Sequence, residues 1–250
     1  MGILAGRVAL VTGAQQGIGR AIAEALGAEG ASVVVQYLDD QETAAEIAAS
    51  IVGNGSEALI VQGDVGVRAD CAEAFATGQK LGGIDLLVNN AGIFPRRDFL
   101  NMTEEDWNTV QNVNVLGGVR CLQIMANELV KAERKGTAVN LSSVAFFRNS
   151  AKGVHYAASK GAIIGFTRSV SAELAPYGIR VNAIAPGIVD TAQPRDGMTE
   201  KQIAEASNLV PLGAMGKPEE IADVAVFLSS HASRHMTGQT IQVNGGTNFS

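Results

Sequence analysis

At 250 residues, 46% hydrophobic and 18% charged, with mean hydropathy +0.15, the chain has enough apolar surface to offset the entropy of ordering one α/β domain, and a disordered chain is excluded. Its 19 basic and 25 acidic residues give a formal charge of -6 without a Lys/Arg-rich run, which excludes a phosphate-backbone footprint and with it a nucleic-acid partner. Cys71 and Cys121 have no paired spacing, so neither a disulfide framework nor a zinc site is expected; a reducing cytoplasm fits, and no apolar run is long enough to read as a signal peptide or membrane span.

Short β-branched runs alternate with segments of helical period: residues 7–12, 32–37, 58–62, 85–89, 138–141, 180–184 and 240–243 read as seven strands. Runs such as Val33-Val34-Val35 and Leu86-Leu87-Val88 are continuously apolar, as in strands covered on both faces, so the fold expected is a single-domain, Rossmann-like, doubly wound parallel sheet spanning residues 1–250. Thr103-Glu104-Glu105-Asp106 reads as a helix start with acids in its first turn, and Pro218-Glu219-Glu220 opens another helix.

Directly after the first strand stands Thr12-Gly13-Ala14-Gln15-Gln16-Gly17-Ile18-Gly19. In that place Gly13 permits a sharp turn, Gly17 lets backbone approach a pyrophosphate, and Gly19 lets the following helix pack closely, while the helix N-terminus offers free N–H groups to the anion. The spacing is GxxxGxG, which a plain turn also satisfies; its position on strand one gives it meaning.

That turn, Asn89-Asn90-Ala91-Gly92 after the fourth strand and Tyr156-Ala157-Ala158-Ser159-Lys160 together resemble the short-chain dehydrogenase/reductase family across essentially the whole chain. Asp64-Val65, Asn114, Ser142-Ser143 and Pro186-Gly187 follow in the family's order. The resemblance implies an oxidoreductase that interconverts a ketone and a secondary alcohol with NAD or NADP. It assigns Gly13, Gln15, Gln16, Gly17, Ile18, Gly19, Tyr37, Asp64, Val65, Asn90, Ala91, Gly92, Pro186, Gly187, Val189 and Thr191, with Tyr156 and Lys160, to the dinucleotide. The catalytic group it implies is Asn114, Ser143, Tyr156 and Lys160, with no metal.

Tyr156 and Lys160, four apart on one helical face, can couple proton transfer to hydride transfer. A phenol titrates near ~10, so bringing it to about 7 takes roughly 4 kcal/mol of phenolate stabilisation, which the Lys160 ammonium is expected to help supply. Neighbours on a strand face opposite ways, and the family's spacing selects Ser143 over Ser142 for the substrate oxygen. Asn114 by resemblance supports a water-linked proton path to the lysine; the alternative is a helix-interior asparagine kinking the chain. His155, His231 and His235 read as surface or locally bonded histidines, Trp107 as a packing residue, and the cysteines as buried spectators.

Phe94, Phe146 and Phe147 follow strand carboxyl ends on the catalytic rim, which suggests an apolar or aromatic substrate, and residues 188–216, with Pro194, Gly197 and a short helix near 199–207, read as a lid. The nearest branch by resemblance holds 3-oxoacyl-carrier-protein reductases and secondary-alcohol or glucose dehydrogenases. A carrier-protein thioester reductase is therefore the alternative function; of the two docking arginines it uses, Arg134 is present and Tyr177 replaces the other. A non-catalytic dinucleotide-binding regulator is the rival from another class, and such a chain is expected to lack Tyr156 or Lys160. Tyr37 stands where NAD-dependent relatives carry Asp, which favours NADP, whereas Asp39, Asp40 and the lack of a cation at Gln16 or Leu38 favour NAD. A homotetramer is expected by analogy, with Gly117, Gly118, Gly161, Ala162 and Gly165 allowing close helix approach around residues 113–131 and 156–174.

Overall fold

Strands that are apolar on both faces need helices above and below them, and the computed structural model, which describes residues 2–148, 150–196 and 198–249, shows that layering. In chain order the elements are β1 (Val8–Val11), α1 (Gly17–Ala28), β2 (Ser32–Tyr37), α2 (Gln41–Gly53), β3 (Ala58–Gln62), α3 (Arg68–Gln79), β4 (Leu86–Asn89) and α4 (Glu104–Gln111). A π-helical turn (Asn112–Leu116) leads into α5 (Gly117–Lys131), then β5 (Gly136–Leu141), α6 (Val154–Leu174), β6 (Ile179–Pro186), α7 (Ala192–Arg195), α8 (Glu200–Asn208), α9 (Pro218–Ser229) and β7 (Thr240–Val243). The sheet order is β3-β2-β1-β4-β5-β6-β7, and every pairing is parallel. The order reverses between β1 and β4, where an open α/β sheet forms its ligand crevice.

Alternation within each apolar run sends its residues to two cores. Ala9, Val11, Val33, Val35, Leu86 and Val88 pack with Ile22 and Leu26 of α1, Ile47 of α2 and Ile221 and Leu228 of α9. Leu10, Val34 and Leu87 pack on the other face with Phe75 of α3 and Leu122 and Met125 of α5. Burying each of the larger of these side chains contributes roughly 1.5–3 kcal/mol.

All seven strands lie where the sequence places them; β1 and β4 are shorter by a residue at one or both ends, and β5 and β6 are longer. β5 begins at Gly136, earlier than expected, because this glycine leaves room for Leu129 of α5 against the strand. β6 runs on to Pro186; a proline is tolerated there because the β5 partner strand has already ended, at Leu141 opposite Ile184. The Thr103–Asp106 capping box opens α4 as expected, Pro218 opens α9, and Thr199 with Gln202 forms a second box at the start of α8.

Several expectations need correction. His155 is fully buried, not a surface residue, although its local bond exists: Nδ1 accepts from the Tyr156 backbone N–H. Trp107 lies on the exposed side of α4. Gly117, Gly118 and Gly161 are spent on internal contacts with Val65, Asn89 and Phe146; only at Gly165, whose added Cβ would meet open space, and at exposed Ala162 does the outer surface stay free. The cysteines are buried as expected, but their thiols face each other across α3 and α5, and this neighbour and burial push Cys121 well above the usual thiol range. No helix among the described residues is long and apolar enough to cross a membrane.

Candidate active site

The carboxyl ends of β1, β2, β3 and β4 open onto a cleft of about 650 Å3. Gly13, Gln15, Gln16, Gly17, Ile18 and Gly19 form one wall. Gly13 and Gly17 adopt φ of +60° and +54°, the left-handed region that suits glycine. A Cβ on Gly19 would lie 2.4 Å from the Gly13 carbonyl oxygen and 2.5 Å from Asn90 Nδ2, so this glycine serves close packing of the turn itself. α1 starts at Gly17 with no side chain capping its first amides, leaving donors directed at the cleft. Cradle and amides fit a dinucleotide diphosphate.

The second wall is Asn90, Ala91 and Gly92, fixed to the first by side chains. The Thr12 hydroxyl donates to Val88 O and accepts from the N–H groups of Asn90 and Ala91, while Asn90 Nδ2 donates to the carbonyls of Thr12 and Gly13. Thr12 organises the turn, a role that the sequence motif alone does not announce. Beneath it Asn89 Nδ2 donates to Asn140 Oδ1, and Asn140 Nδ2 to Thr167 Oγ1, joining β4, β5 and α6 through the interior.

At the adenosine end lie Tyr37, Asp64 and Val65. Tyr37 is buried at the end of β2. Asp64 Oδ1 accepts from Gly66 N, and the Val65 carbonyl accepts from Arg120. Asp40 is turned away, capping α2 through Thr43, which lowers its pKa. Asp39 instead lines the cleft, where its carboxylate accepts from Gln15 Nε2 at 2.7 Å.

Tyr156, Lys160, Ser143 and Asn114 stand behind the cleft's inner end. Phe94, a cleft residue, stacks on the Tyr156 ring at 4.2 Å, and Lys160 Nζ lies 5.5 Å from the centre of that ring. The Tyr156 hydroxyl faces the side chains of Ser143 and Gln193. Burial pushes the Tyr156 pKa above its ordinary value, and these two partners pull against that. The expected depression of the phenol by Lys160 is therefore not a property of the folded chain by itself. Lys160 is buried too: burial pushes its pKa down to about 8, and its ammonium donates to the Leu141 carbonyl at 2.8 Å.

Asn114 sits in the π-helical turn, so both the local distortion and the contact role are present. Its Oδ1 accepts from Ile93 N, and its Nδ2 donates to Ile93 O and Ser159 Oγ. These bonds clamp the β4 loop against α6; Asn114 makes no direct bond to Lys160, although both converge on Gly92. Ser142 points away from Tyr156 and donates to the Lys160 backbone carbonyl, whereas Ser143 faces the phenol, as the strand alternation requires.

Pro186, Gly187 and Val189 do not line the cleft. They form the root of residues 188–216: Gly187 packs on Asn244, and Val189 bridges to Gly216. Thr191 does reach the cleft, with its methyl 3.2 Å from where a Gly17 Cβ would be. Gln193 on α7 carries no signal in the sequence, because its approach to Tyr156 depends on where this short helix is set and not on any local spacing. Gly197, placed in the expected lid, lies outside the described residues.

Residues 13–248 match a family model described as enoyl-(acyl carrier protein) reductase. The chain is 42% identical over 246 residues to the short-chain reductase protein NovJ of Streptomyces niveus, covering 96% of this chain and 93% of that one. It is 40% identical over 249 residues to a 3-oxoacyl-[acyl-carrier-protein] reductase of Synechocystis, covering 98% of each. The chain belongs to the short-chain dehydrogenase/reductase family. Among solved structures, a short-chain dehydrogenase/reductase from Mycobacterium marinum superposes with TM-score 0.93 at 33% identity, covering 99% of this chain and 97% of that one. A protein from Agrobacterium tumefaciens, provisionally assigned as a 2-deoxy-d-gluconate 3-dehydrogenase and holding NADP, superposes with TM-score 0.90 at 36% identity, covering 98% and 97%. As a short-chain oxidoreductase, this chain acts on the carbonyl/alcohol couple with a nicotinamide dinucleotide.

Proposed function

We propose that the chain interconverts a ketone and a secondary alcohol, with Tyr156 as general acid/base, Ser143 holding the substrate oxygen, and Lys160 and Asn114 in support. The observation that carries this is the meeting of the Ser143 and Tyr156 side chains, with Lys160 one turn behind, beside the glycine cradle. When bound, the dinucleotide exchanges hydride with the carbinol carbon. Tyr156, kept protonated by burial, is suited to donate its proton to the carbonyl oxygen as that hydride arrives; in the reverse direction it accepts the alcohol proton. Lys160 supplies positive charge 5.5 Å from the centre of the phenol ring, and Asn114 holds the β4 loop so that this spacing is kept. The test is a screen of the purified protein against ketones, 3-oxoacyl thioesters, sugars and aromatic alcohols with both dinucleotides; no turnover despite dinucleotide binding in every case would count for the non-catalytic rival.

The likeness to the Synechocystis protein favours a second reading, reduction of a carrier-bound 3-oxoacyl thioester. Against it, Arg134 is committed to the carbonyls of Gly82 and Gly83 near Asp85, and Tyr177 replaces the second docking arginine.

NADP is proposed as the preferred dinucleotide, because Tyr37 supplies no carboxylate for the ribose hydroxyls. Asp39 on the same wall opposes a 2′-phosphate and keeps the preference small. The expected kcat/KM ratio of NADPH to NADH is between one and about tenfold, and a preference for NADH above ~10-fold would overturn it.

We also propose a homotetramer, with α6 meeting a second copy at Ala162 and Gly165. Light scattering at working concentration should give about four times the 25.9 kDa chain mass, and a monomeric value would reject it.

A further inference from the structure

Among the described residues that line the cleft, Arg96 is the only lysine or arginine. Three other cations are already matched, Arg97 with Asp106 at 2.8 Å, Lys152 with Asp98 at 3.5 Å, and Arg195 with Asp190 and Glu200, while the acids on the cleft lining, Asp39, Asp64 and Asp196, make no ion pair with Arg96. Arg96 is half-buried, and no carboxylate among the described residues stands within ion-pair distance of it. Its guanidinium lies 4.9 Å from the centre of the Phe94 ring, and that ring is the one stacked on Tyr156. One aromatic ring therefore separates a partly desolvated, unneutralised guanidinium from the proposed proton donor.

We propose, resting on the reading above, that the substrate is a keto acid or hydroxy acid whose carboxylate is taken by Arg96 while its carbonyl or carbinol carbon lies at Tyr156. Arginine carries a planar fork of donors that matches a carboxylate two-to-two, and partial burial strengthens the pair over one made in open water. Phe94 supplies the apolar floor over which the carbon chain between the two ends lies. Stacking on Phe94 holds the guanidinium in place but leaves its charge uncancelled, so the site is set for an anion. The dinucleotide phosphates are the other anions due in this cleft. Their place is at the uncapped amides of α1, on the wall formed by Gly13 to Gly19, whereas Arg96 belongs to the β4 loop beside Phe94. The apolar substrate expected from the phenylalanines alone is thus extended: Phe94 is a wall, and the arginine two residues on sets the charge that the wall leads to.

The test uses the full chain with NADPH and three keto acids of increasing length, 4-oxopentanoate, 5-oxohexanoate and 6-oxoheptanoate, each against its methyl ester. At least one acid should exceed its ester in kcat/KM by about tenfold or more, mainly through KM, as loss of a charge-assisted contact predicts. Arg96→Gln should bring that ratio close to one, Arg96→Lys should restore part of it, and the dinucleotide Kd should stay within about twofold of wild type. Acid and ester reduced equally well by the wild type, or a preference that survives Arg96→Gln, would overturn the proposal. So would an Arg96→Gln variant whose dinucleotide binding weakens by the factor lost on the acid, which would assign Arg96 to a cofactor phosphate. Reduction of esters or of other neutral ketones without any acid overturns the proposal and leaves the oxidoreductase reading intact; absence of dinucleotide binding overturns that reading itself.

Discussion

Tyr156→Phe should lower turnover by at least ~100-fold, the low end for removal of a general acid/base. The substitution deletes one oxygen and keeps the ring, so the 4.2 Å stack on Phe94 and the approach of Lys160 Nζ to the ring at 5.5 Å are retained. What is lost is the hydroxyl that faces Ser143 and Gln193. Because the glycine cradle and its amides are untouched, dinucleotide binding followed by fluorescence should remain. Steady-state rates close to wild type, with binding intact, would remove Tyr156 from the chemistry. The pH profile adds a second check: since burial raises the phenol pKa, ketone reduction should hold its rate from neutral into mildly alkaline pH before deprotonation of the acid takes it away.

Lys160→Met should lower turnover and dinucleotide affinity together, and should not destabilise the protein at neutral pH. Burial lowers the lysine pKa from 10.5 to about 8, so between those values the unfolded chain binds a proton that the folded chain has released. Stability therefore rises with pH across that window, and below about 8 the folded protein carries the full cost of a buried ammonium, on the order of 3 kcal/mol. Methionine removes that cost. It also leaves the Leu141 carbonyl without its 2.8 Å donor, which takes back about 1–3 kcal/mol. Urea unfolding at pH 7 should show the variant equal to or more stable than wild type, with the rise toward pH 10 flattened. A variant strongly destabilised at pH 7, or unchanged in dinucleotide affinity, would contradict this account of Lys160.

The inner strands were legible because they are buried on both faces, and an unbroken run such as Val33-Val34-Val35 records that burial in composition alone, whereas the edge strands β3 and β7 are only half-buried. The Tyr156/Lys160 pair was legible because four residues of helix bring them to one face whatever the surroundings. Gln193 was not, since its approach to Tyr156 depends on how residues 188–216 fold back over β6. His155 shows the same limit: its position beside Tyr156 is local, but its complete burial comes from the packing of α4 against α6. The small residues on the long helices looked like material for a subunit contact, yet Gly117 and Gly161 serve Val65 and Phe146 within the chain. A glycine records that something comes close and says nothing of which partner it is. Arg96 was invisible for the converse reason: nearby Arg97 has the same composition, and only the distance to Asp106 shows which of the two is already neutralised.

Thr12 and Asn90 join β1 to β4, and Asn89, Asn140 and Thr167 join β4 to β5 and α6. This belt runs beneath the cleft and takes nothing from residues 188–216 or from the segment that carries Phe94 and Arg96. Apart from Phe94 and Gln193, which touch Tyr156 itself, descendants of this chain can thus exchange residues of those two segments while the strands that carry the catalytic side chains stay in register, so new specificities would arise by drift there without first requiring repair of the scaffold.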